Sequence, residues 1–184
     1  MYRKGRVSYQ ALPLPDRVQM ADAQAQAAAA AEAFRDSLKR RHSVRLYSGC
    51  PVSEAVITAC IEAAGTAPSG ANHQPWHFVA IADPAMKARV RAAAEAEERE
   101  FHVGSPGDEW LAALEPIGTG ADKPHLTQAP WLIVVFAQRW GVTEDGTRFK
   151  NYYVPESVGI ATDVLISARH HAGLVWLEHT PKPM

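Results

Sequence analysis

Residues 67–76 read Ala-Pro-Ser-Gly-Ala-Asn-His-Gln-Pro-Trp, packing conformational constraint and hydrogen-bonding groups into ten positions. Pro68 and Pro75 fix φ near the extended value, and Gly70 permits a positive φ or a close backbone approach. Ser69, Asn72 and Gln74 add side-chain donors and acceptors. A plain turn needs one or two such residues, so this loop, running into the strand-like His77–Ala82, reads as shaped around a ligand. An ordinary helix-to-strand connection is the alternative.

Upstream of the loop, Ser53 is a plausible N-cap for a helix with Val56, Ile57, Cys60, Ile61 and Ala64 on one stripe, stopped by Gly65. Before it, Ala21–Arg41 has high helix propensity and no Gly or Pro, with Phe34 and Leu38 at i and i+4 as a face to dock. Downstream, Asp83-Pro84 is an N-cap with proline at the first helical position, opening a charged helix to about Phe101 whose Glu95–Glu100 segment reads as a solvated face. Gly104, Pro106 and Gly107 break the chain before a short helix around Trp110–Leu114; the Gly- and Pro-containing stretch to Lys123 and Pro124 reads as a lid. Trp131–Ala137 is a continuous apolar run, the pattern of a central strand covered on both faces. Ser157–Ala172 is helical and closed by Gly173, and Leu174–Leu177 reads as a last short strand. Helices alternating with few strands give an α/β or α+β sandwich.

The chain has 184 residues, 47% of them hydrophobic, enough for a core. A net charge of −1 gives no electrostatic footprint for nucleic acid or an anionic membrane, which leaves a small-molecule partner. The longest strongly apolar run, Ala129–Ala137, is too short to span a bilayer. Cys50 and Cys60 fit no CxxC motif and no disulfide framework, so the expected compartment is the cytoplasm. Residues 1–20 read as an extended arm, and 21–184 as one domain.

No metal site is expected. His73 and His77 are i and i+4, but Pro75 between them forbids the helix an HxxxH site requires, and the adjacent His170 and His171 point apart on a helix. No GxGxxG follows a strand; Gly118-Thr119-Gly120 lies in the lid; there is no P-loop and no GxSxG elbow. Arg40, Arg41, His42, Ser43 and Arg45 can converge on one phosphate, although basic residues also suit a helix C-terminus. Glu98, His102 and Lys123 are the remaining charged candidates, flanking the lid.

From Arg40 onward the sequence resembles the nitroreductase-fold flavoproteins, and within them the iodotyrosine deiodinase branch. Arg41-His42-Ser43-Val44-Arg45 matches the flavin-phosphate motif, and Gly65–Asn72 with Gln74-Pro75-Trp76 matches the flavin-cradling loop. Glu95–Phe101 resembles the acidic helix of that branch; Lys123, six residues before Ala129-Pro130, sits at its substrate lysine; Thr180-Pro181 matches the flavin-contacting threonine. The resemblance implies an α+β, nitroreductase-like α-β-α sandwich with a central mixed, mostly antiparallel sheet. It also implies FMN held non-covalently in a homodimer, with NAD(P)H as electron source.

On the same resemblance, Arg41, His42, Ser43, Val44 and Arg45 hold the phosphate end of the cofactor, and Pro68, Ser69, Gly70, Asn72, Gln74, His179 and Thr180 line the flavin. The Thr180 hydroxyl donates to flavin N5 and favours the one-electron semiquinone, an instance of protein tuning a cofactor. The Ala71 N–H binds a substrate phenolate, and Glu98, His102 and Lys123 clamp the amino-acid zwitterion of a halotyrosine; a halophenol is the related substrate. The implied activity is reductive dehalogenation; the alternatives are a general NAD(P)H-dependent nitroreductase or quinone reductase, and a non-catalytic or impaired flavin-binding fragment. Three departures stand out. His102 replaces the usual tyrosine of the clamp, Asp163 occupies a position where Gly is commoner, and the family continues several tens of residues past Pro183-Met184, so a C-terminally truncated chain is expected.

Overall fold

The computed structural model describes residues 17–104 and 120–180. The arm up to residue 16, the helix expected around Trp110–Leu114, the lid from 105 to 119 and Pro181 lie outside the described residues. In order come α1 (Arg17–Leu38), α2 (Glu54–Gly65), a 3₁₀ turn (Gly70–Asn72), β1 (Trp76–Ile81), α3 (Pro84–Gly104), α4 (His125–Gln128), β2 (Leu132–Ala137), β3 (Trp140–Val142), β4 (Arg148–Lys150) and α5 (Val154–His171). β1 pairs with β2, and β3 with β4.

The chain divides into two compact units. One takes the residues through His42, Thr58–His77 and Val135–Val175; the other takes Ser43–Ile57, Phe78–Val134 and the residues from Trp176.

In the first unit, Cys60 and Ala64 of α2 and Ala161 and Leu165 of α5 are each at most 4% exposed, each pair at the four-residue spacing that lines one helix face. The last turn of α1 packs on α5, where the His170 Nε2–H donates to Ser37 O at 2.7 Å. Among the described side chains of α1 only Ser37 and Leu38 are half-buried, and Phe34, expected to bury, is 59% exposed. α1 also ends three residues before Arg41, with tightened turns from Arg40 N–H to Ser37 O and Arg41 N–H to Leu38 O. α5 closes as the sequence expects, with Gly173 at φ +74° and bonds from Gly173 N–H to His170 O and Leu174 N–H to Arg169 O.

The β3–β4 hairpin is antiparallel, with Gly141 opposite Phe149. A Cβ on Gly141 would lie 2.2 Å from Phe149 Cζ, so the aromatic ring covers the glycine. Its turn carries Asp145-Gly146, with Gly146 at φ +84°.

In the second unit α3 packs on α4. Asp83 caps α3 as expected, its carboxylate accepting from Ala85 N–H at 3.4 Å and Met86 N–H at 2.9 Å. The last strand expected at Leu174–Leu177 does not form: residues 174–180 are irregular, tied by a bond from Val44 N–H to Trp176 O rather than by a ladder. β2 also differs from its reading. It shares its sheet with β1 alone and is half-buried, with Phe136 53% exposed, because a two-strand sheet leaves neither strand central.

Candidate functional site

The loop of residues 67–76 lies in the first unit and is held from both sides. Ser69 Oγ accepts from Gln74 N–H at 2.9 Å, and Gln74 Nε2 donates to Gly65 O at 3.4 Å, which closes the loop on itself. Gly70 N–H donates to Ser157 Oγ at 3.3 Å, and a Cβ on Gly70 would stand 2.9 Å from both Tyr152 O and Tyr153 Cδ2. The glycine is needed for close approach to the start of α5. The positive φ falls instead on Ala71 (+50°), Asn72 (+53°) and Gln74 (+49°), three non-glycine residues in the left-handed region. Each such residue costs about 1 kcal/mol or more and persists only where its surroundings impose it, a pattern concentrated at ligand-binding loops.

His73 anchors the far end. Its Nδ1–H donates to Asn151 Oδ1 at 3.0 Å, and Asn151 Nδ2 donates to Gln138 O at 2.8 Å, joining the loop to the hairpin. The ring also meets Phe149 edge-on with centroids 5.3 Å apart. Pro75 is fully buried, while Ala71, Asn72 and Pro68 face solvent. Arg41 and His42 belong to this unit too; Arg41 is half-buried, and the His42 Nδ1–H donates to Arg40 O at 3.0 Å.

The second unit holds a cleft of about 460 Å³ lined by Arg45, Lys123, His125, Glu178 and His179 among others. Ser43 is exposed, Val44 and Arg45 are half-buried, and Thr180 is exposed next to His179. Lys123 is 6% exposed, and its Nζ lies 3.0 Å from Glu98 Oε1. Glu98 and Lys123, expected to act together, are thus in direct contact. His102 falls in the last turn of α3, its side chain outside the described residues.

His125 and His179 face each other with ring centroids 6.3 Å apart. Burial, reinforced by His179, Lys123, Arg45 and Arg91, holds the His125 pKa below the usual histidine value, and burial with Lys123 does the same for His179. His125 Nε2 is buried without a hydrogen-bond partner among the described residues, an atom that calls for a ligand or a water. Among the described residues no group of His, Cys, Asp and Glu could hold a metal ion, and no helix is long and apolar enough to cross a membrane.

The model of the nitroreductase family matches residues 38–178. This chain belongs to the nitroreductase family. The iodotyrosine deiodinase of Haliscomenobacter hydrossis is 51% identical over 147 residues, covering 80% of this nitroreductase-family chain and 66% of that protein. That of Hydra vulgaris is 43% identical over 148 residues, covering 80% and 54%. A solved structure of oxidized iodotyrosine deiodinase bound to FMN and 3-iodo-L-tyrosine matches with a TM-score of 0.71 at 28% identity, over 82% of this chain and 76% of that one. The chain therefore spans between half and two thirds of the length of these curated relatives.

Several residues of these two candidate regions escape a reading of the sequence. Glu95, read there as part of a solvated face, is half-buried, and Asn151 and Ser157 hold the loop from positions 78 and 87 residues away from their partners. Asp145-Gly146 is a local signal that would have found the hairpin; nothing local marks Asn151, Ser157 or His125. Asp163, at a position where Gly is commoner, is exposed, which leaves its carboxylate to solvent.

Proposed function

We propose that this chain binds FMN and acts as a reductive dehalogenase of halotyrosines, as a cytoplasmic homodimer drawing electrons from NAD(P)H. The observation that carries this reading is the Lys123–Glu98 pair, an ammonium and a carboxylate 3.0 Å apart and largely out of solvent. Such a pair is the complement of an amino-acid zwitterion. The substrate carboxylate takes Lys123, its ammonium takes Glu98, and His102 completes the clamp. Exchanging one charge pair for two keeps every charge partnered, so the desolvation already met in the free protein is not met again.

The residues present fit FMN. Arg45 supplies a cation for its phosphate, and the partnerless, buried His125 Nε2 in the same cleft supplies a polar contact for a bound group. Arg41, His42, Ser43 and Val44 would extend the phosphate grip, Pro68, Ser69, Gly70, Asn72, Gln74, His179 and Thr180 would hold the ring, and the Thr180 hydroxyl would tune its redox chemistry. When bound, FMN supplies the two electrons that, with a proton, replace carbon–halogen by carbon–hydrogen and release halide. The Ala71 N–H, held by a strained backbone, is a preorganised donor for the substrate phenolate. A partner subunit has apolar side chains to cover in the first unit, including Tyr153 (71% exposed), Trp140 (51%) and Ile160 (44%). Free Cys50 and Cys60 suit a reducing compartment.

The test is iodide release from 3-iodotyrosine by the FMN-loaded chain under a reductant, with tyrosine formed in equal amount. A chain that turns over nitroaromatics or quinones with NAD(P)H and releases no iodide is a general nitroreductase instead.

A further inference from the structure

One face of α3 carries Lys87, Arg91, Glu95 and Glu98 at spacings of four, four and three residues, and each reaches the segment 123–130. Lys87 is 7% exposed, and its Nζ donates to Ala129 O at 2.8 Å, with Pro130 O at 3.4 Å and Thr127 O at 3.5 Å. Arg91 donates from Nη1 to Thr127 Oγ1 at 3.2 Å and from Nε to Glu95 Oε1 at 2.6 Å. The same Glu95 oxygen accepts the Lys123 main-chain N–H at 2.8 Å. Its other oxygen lies 4.0 Å from Arg99 Nη1, and the side chain is 14% exposed.

We propose that Glu95 is a positioning residue: by holding the main chain of Lys123 against α3, it sets the Lys123 ammonium at Glu98, and so sets affinity for the amino-acid end of the substrate. A lysine side chain has four rotatable bonds, and fixing its backbone is what makes a single ammonium position repeatable. Glu95 and Glu98 share one helix, so the backbone anchor and the ion-pair partner move as one body. The Lys123 N–H and Arg91 both lower the Glu95 pKa, which keeps the acceptor ionised. The consequence for substrate rests on the zwitterion-clamp reading above.

The experiment uses the full FMN-loaded chain with E95A, E95Q and K123A. It reads amide hydrogen exchange at residue 123, FMN affinity, and steady-state kinetics with 3-iodotyrosine and with 2-iodophenol, which lacks the zwitterion. In E95A the Lys123 amide exchanges faster, and KM for 3-iodotyrosine rises about tenfold with a much smaller change in kcat, the size expected for one charge-assisted hydrogen bond. KM for 2-iodophenol and FMN affinity stay as in the wild type. E95Q keeps an acceptor oxygen and recovers most of the loss. Unchanged Lys123 exchange in E95A, or equal losses for the two substrates, overturns the positioning role. If E95A frees the amide but K123A leaves 3-iodotyrosine KM unchanged, the clamp reading fails and takes the substrate consequence with it.

Discussion

Gly70 has its hydrogen where any other residue would have a carbon 2.9 Å from Tyr152 O. Gly70→Ala forces the loop off the start of α5, and overpacking of this kind costs about 1–3 kcal/mol. Urea unfolding reads the stability, and FMN titration of the same variant reads a weaker cofactor site. His125 and His179 give a pH prediction. Their folded pKa values lie below 6.5, so on acidification the unfolded chain takes up protons first. Stability is therefore full above about pH 6.5 and declines as pH falls from there toward the depressed folded values. Thermal melts between pH 7.5 and 5.5 show a falling Tm in the wild type and a shallower fall in His125→Asn, which no longer titrates in that window.

Local chemistry governs the ends of the helices. Asp83→Ala removes the carboxylate that takes Met86 N–H at 2.9 Å and costs about 1 kcal/mol, measured by urea unfolding. Gly173→Ala places a Cβ at φ +74° and costs a comparable amount, about 1 kcal/mol. Such features were legible in the sequence because cap and periodicity lie within a few residues of each other: α2, α3 and α5 stand close to their expected bounds, and the ligand-shaped loop is where its prolines and glycine put it. What was not legible depends on partners far along the chain. Leu174–Leu177 has strand-forming residues but no ladder; Phe34 has the right spacing to bury but stays exposed, while Ser37 and Leu38 in the last turn of α1 are half-buried. Glu95 looks like one more charge on an acidic helix until Lys123 N–H, 28 residues on, is seen to bond to it. The Lys123–Glu98 pair became readable only through family resemblance, since neither residue alone departs from ordinary surface composition.

For the molecule as a whole, family membership fixes the fold, and the proposed dehalogenase function differs from that of a general flavin reductase in the use it makes of the Lys123–Glu98 contact. A general reductase has no use for an amino-acid clamp, and losing one partner of a desolvated charge contact costs about 2–5 kcal/mol of binding. The direct measurement is titration of the FMN-loaded chain with 3-iodotyrosine, followed by flavin fluorescence, for wild type and Lys123→Ala. Saturable quenching in the wild type, shifted in Lys123→Ala to concentrations at least about thirtyfold higher, is the predicted result, the lower end of that range. The same quenching curve in both proteins contradicts it.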